Sequence, residues 1–71
     1  LAKIHVANLS GFMMKWTATF GNFQYISAEE YWLKKDRSPK VLRISFFIDE
    51  PSFSATQQNI STQIIHSVQW H

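Results

Sequence analysis

Apolar and polar side chains alternate along most of this chain, the two-residue period that sends neighbours to opposite faces of a strand. Ala2, Ile4 and Val6 alternate with Lys3, His5 and Ala7, and Asn8-Leu9-Ser10-Gly11 follows with turn chemistry. In the longest run, Phe12, Met14, Trp16, Ala18 and Phe20 fall on one side, with Met13, Lys15, Thr17 and Thr19 on the other. Gly21-Asn22 reads as a two-residue connector, because glycine at its first position accepts the positive φ that tight hairpin turns require. Phe23 to Ile26 then return, so residues 12–27 are predicted as a β-hairpin.

Ser27-Ala28-Glu29-Glu30 matches a capping box, in which a serine caps a helix start and a glutamate three residues on reaches back to it. A short helical turn through Tyr31, Trp32 and Leu33 would follow, although these residues equally continue a strand. Lys34 to Lys40 is polar, interrupted by Pro39, and reads as a loop. Leu42, Ile44, Phe46 and Ile48 then alternate with Val41, Arg43, Ser45 and Phe47. That strand is apolar on both faces near Phe46-Phe47, as in a central strand or one covered by a partner. Asp49-Glu50-Pro51 ends it.

The tail fits two periods. Phe53, Ile60, Ile64, Ile65 and Val68 share a helical arc that Ser54 to Gln57 could cap, yet residues 60–70 also alternate as a strand. Their β-branched composition favours the strand. The predicted class is all-β, a small antiparallel sheet or a sandwich- or barrel-like form, with an α+β alternative carrying a C-terminal helix at about 54–69. The Phe12–Phe20 and Leu42–Ile48 rows are expected to cover each other as one core.

Composition narrows the picture. A chain of 71 residues is one small domain, complete or part of a longer protein, and it buries only about 60% of its unfolded surface. With no cysteine, neither disulfides nor thiolate metal sites can support it, and large rings do so instead: 15% of residues are aromatic. A net charge of +2 is too mild to mark a nucleic-acid binder, and no apolar run approaches the roughly 18 residues that span a bilayer. Nothing in the sequence indicates a compartment.

Candidate chemistry is sparse. The acids Glu29, Glu30, Asp36, Asp49 and Glu50 show no nucleophile beside a base and no facing carboxylate pair, so no catalytic residue is assigned. His5, His66 and His71 lack the spacing of a metal site, and two glycines make no phosphate-cradling loop; no cofactor is expected. Sequons at Asn8-Leu9-Ser10 and Asn59-Ile60-Ser61 are compatible with secretion. The stretch VANLSGFMMKW, residues 6–16, resembles the opening strand pair of the β-sandwich domain of thiol-activated cytolysins. The resemblance implies a strand running into Ser-Gly and an aromatic; those proteins' tryptophan-rich membrane loop has no counterpart here, and no residue role or activity carries over.

The surplus of large apolar groups on both sides of Val41–Ile48 points to a non-catalytic module that binds protein, a second copy of itself included. Phe47, Val41 and Ile65, left over once one core is filled, form the candidate partner-binding set together with Arg43 and Trp32. Two alternatives are a single-stranded nucleic-acid binder stacking bases on Trp16, Tyr25 or Trp32 beside Lys and Arg, and a secreted ligand- or sugar-binding β module.

Overall fold

The computed structural model describes residues 1–70, and these form an antiparallel sheet followed by one helix. Strands β1 (Ala2–Val6), β2 (Leu9–Phe20), β3 (Gln24–Lys35) and β4 (Val41–Ile48) lie in chain order, each paired with the next, and α1 (Ala55–His66) packs on one face. The fold is mostly strand, with the single helix of the α+β alternative.

Each connector follows from local chemistry. The β1–β2 turn is Ala7-Asn8, one step earlier than predicted, with Ala7 at a positive φ of 53°, so Leu9 begins the next strand fully buried. The central hairpin closes through the three residues 21–23, since Phe20 pairs with Gln24; Gly21 and Phe23 both take positive φ, 62° and 66°. Ser27 to Glu30 does not start a helix. The segment is hydrogen-bonded to β2 on one side and β4 on the other, and two ladders outweigh one capping interaction.

The tail is helix and not strand. Ser54 Oγ accepts the Gln57 amide at 3.1 Å, and Gln57 Oε1 accepts the Ser54 amide at 2.8 Å, which completes the capping box. This start, plus burial of Ile65 against the sheet, overrides the β-branched propensity of residues 60–65.

Core placement corrects one expectation from the sequence. The buried cluster is Val6, Leu9, Tyr31, Leu33 and Ile65, with Ile4, Met13, Leu42, Ile44, Phe46, Val68 and Trp70 packed against it. Leu42–Ile48 is inside as expected, but Phe12, Met14, Trp16 and Phe20 point from the opposite face, so the two rows do not cover each other. The reason is register. Across the strands, the row partners of Phe12 to Phe20 include Lys3, Glu30, Gln24, Arg43 and Ser45, whereas the other face gathers Ile4, Val6, Leu9, Leu33, Leu42 and Ile44. The face with the greater summed apolar burial receives the helix.

Gly11 sits on the helix-covered face where β2 and β3 approach closely, and a Cβ there would lie 1.8 Å from the Trp32 carbonyl oxygen. Gly11→Ala is expected to force the strands apart and cost about 2–3 kcal/mol, read as a lower midpoint in urea unfolding.

Candidate functional site

The face of the sheet away from α1 is built in rows by the register. From the end bearing the β1–β2 turn, the rows are His5, Ser10, Lys34 and Val41; then Lys3, Phe12, Trp32 and Arg43; then Met14, Glu30 and Ser45; then Trp16, Ala28 and Phe47. Beyond these β2 and β3 continue alone, with Ala18 beside Ile26 and Phe20 beside Gln24, up to Phe23 at the tip. No charged residue occurs between Trp16 and Ala28.

Two features organise this face. Ala28, only 1% exposed, lies under the rings of Trp16 and Phe47, which meet edge to face with centroids 6.1 Å apart. One row away is the carboxylate of Glu30, 3% exposed. It accepts Trp16 Nε1–H at 3.0 Å, Ser45 Oγ–H at 3.0 Å and a guanidinium N–H of Arg43. Arg43 also stacks over Trp32, its guanidinium carbon 4.8 Å from the ring centroid. The Arg43 hydrogen bond, then that of Trp16, holds the Glu30 carboxyl below its ordinary range.

The centre of the face is therefore apolar, with its one acid and one base paired, yet it stays open. Phe12, Phe20, Val41 and Phe47 are 47%, 52%, 57% and 57% exposed, and Trp32 is 39% exposed. Of the partner-binding set read from the sequence, Phe47, Val41, Arg43 and Trp32 come together here. Ile65 does not. At 1% exposure it is the helix's anchor in the core, and a partner cannot reach it; the exposed helix isoleucines are Ile60 and Ile64.

Glu30 was missed here because the sequence reads it as the partner of Ser27 in a capping box. Phe12, Trp16 and Phe20 were assigned to the core because β2 alone does not reveal which of its faces the sheet buries. One signal was present: the parity of Val41, Arg43 and Phe47 groups those three wherever the register falls.

A second buried carboxylate lies on the helix side. Glu29, fully buried, accepts from Tyr31 Oη–H, from Gln58 Nε2–H at 3.1 Å and from Ser61 Oγ–H at 3.3 Å, all at Oε1. Burial and this carboxylate hold the Tyr31 hydroxyl well above its ordinary range. The group ties α1 to β3. Among the described residues, no cluster of His, Asp and Glu suits a metal ion and no helix is long and apolar enough to cross a membrane; His71 lies outside those residues. His5 instead bonds Ser10 at 2.9 Å, and His66 is exposed in the last turn of α1.

No protein family, curated protein or solved structure matches the chain, so the likeness at residues 6–16 gains no support. The functional reading rests on the face itself.

Because the pKa of Glu30 is lowered by folding, its contribution to stability is present above the ordinary value near 4.5 and is lost as pH falls through the folded value. Glu30→Gln is expected to remove this component. The stability gap between the parent protein and the variant in urea unfolding should be largest near neutral pH and should close on acidification below about pH 4.

Proposed function

We propose that the chain is a non-catalytic interaction module that docks a protein partner on the open face of its sheet. The observation that supports this most is the broad apolar area of Phe12, Phe20, Trp32, Val41 and Phe47, left uncovered by α1 and carrying its central charges already paired as Glu30 and Arg43. An exposed apolar patch of that extent marks an interaction surface more often than ordinary surface. A partner that covers its centre meets Glu30 already paired with Arg43 and hydrogen-bonded to Trp16 and Ser45.

The same detail weighs against single-stranded nucleic acid. Arg43 spends its charge on Glu30 and covers one side of the Trp32 ring; Lys3 and Lys34 share the face only at the end away from Trp16 and Phe47, and Lys35, Arg37 and Lys40 sit at or around the β3–β4 loop. A nucleic-acid platform would show tryptophan quenching by oligonucleotides that weakens steeply with salt. The docking reading expects none.

The direct test is selection of displayed peptides and small domains on the immobilised protein. Binders are expected whose affinity falls at least about tenfold with Phe47→Lys or Trp32→Ala and is unchanged by Ile64→Lys on the helix. Absence of binders, or binders indifferent to Phe47 and Trp32, would remove the proposal.

A further inference from the structure

We infer that the occupant of the open face is a second copy of this chain, packed sheet against sheet with its strands reversed. The inference rests on the docking reading above and specifies its partner.

Area is the first argument. Strands of 5, 12, 12 and 8 residues, at a rise of about 3.3 Å and a spacing of about 4.8 Å, present a face of roughly 590 Å². In the reversed pairing described below β1 has no strand opposite it and about 27 of the strand residues overlap, so two copies bury about 860 Å², the size of a small, reversible interface. A docked helix, about 10 Å across, would cover two of the four strands if aligned with them, or about three residues of each if laid across them. The exposed groups here are spread over three of them, Phe12 and Phe20 on β2, Trp32 on β3 and Val41 and Phe47 on β4, so a flat partner fits better than a narrow one.

Charge sets the orientation. Lys3 and Lys34, cations of the face without an ion pair among the described residues, lie with His5 toward the end bearing the β1–β2 turn, while at the other end Asp49 lines one hollow with Phe20, Gln24 and Ile26. A two-fold axis along the strands would stack the cationic ends on each other. A two-fold axis across the strands instead lays each cationic end over the partner's hairpin end, toward its Asp49. That operation sets the Trp16, Ala28 and Phe47 row against the row of Met14, Glu30 and Ser45 in the other copy, and Phe12 against Ala18. Phe47 then meets Ser45 and Phe12 meets Ala18, while Trp16 lies on Met14 and Trp32 on Ile26, and the contact is isologous, so it closes at two copies.

Sedimentation equilibrium at micromolar concentration is expected to give twice the 8.3 kDa chain mass. Phe47→Lys and, independently, Phe12→Lys should each weaken the dimer about thirtyfold or more while circular dichroism is preserved, and Ile64→Lys should leave it intact. A photo-crosslinking residue at position 12 is expected to attach to the Ala18 or Ile26 region of the other copy. A monomer at all concentrations that still selects face-dependent binders overturns the second copy and leaves the docking reading standing; a monomer that selects none overturns both. A dimer disrupted by Ile64→Lys and not by Phe47→Lys, or cross-linked from position 12 to position 12, also overturns the arrangement.

Discussion

One helix can cover one face of this sheet. At about 1.5 Å per residue the 12 residues of α1 span roughly 18 Å, running from Gln58 beside Lys15 and Glu29 to Ile65 beside Leu9 and Leu33, and no second helix is present among the described residues. Everything on the far side must be held by side chains of the sheet itself. That constraint explains why Trp16 and Phe47 lean together over Ala28 and why Arg43 lies flat on Trp32: rings that cannot be buried under a second layer bury each other as far as geometry allows.

The adjacent glutamates show how the two faces are held. The two-residue period sends Glu29 toward α1 and Glu30 away from it, and both end up desolvated. Each carboxylate gathers donors from distant parts of the chain. Glu29 draws in Tyr31, Gln58 and Ser61 and so fixes where the helix lands; Glu30 draws in Trp16, Arg43 and Ser45 and fixes the opposite surface. Buried carboxylates are costly unless satisfied, and Glu29 Oε2 has no hydrogen-bond partner, which offsets part of what the bonds at Oε1 contribute.

How much of this was legible in the sequence depended on range. Periodicity within one strand was readable, so β2 and β4 and the hairpin between Phe12 and Ser27 were evident. Which side of β2 faces inward was not, because that depends on what β1, β3 and β4 contribute to each row. Leu9 illustrates the point: read as part of a turn, it is a fully buried core residue, because the chain reverses at Ala7-Asn8 and not after it. Local signals also competed. Serine and a glutamate or glutamine at capping spacing occur at residues 27–30 and 54–57, and only the second forms a helix, since the first lies between two strands that claim its backbone. At the open face, Phe47, Val41 and Arg43 could be grouped from parity, whereas Glu30 and Trp16 needed the pairing of β2 with β3.

The strictly sequential strand order has a kinetic consequence. Every ladder joins chain neighbours through a short connector, Ala7-Asn8, residues 21–23 or residues 36–40, so each closure is entropically cheap and the sheet can zip outward from its central hairpin. The helix comes last along the chain and anchors through Ile65 onto residues from three different strands, Val6, Leu9, Tyr31 and Leu33. Until it arrives, the nascent sheet shows water two greasy sides in place of one, and the docking of twelve residues ends that symmetry.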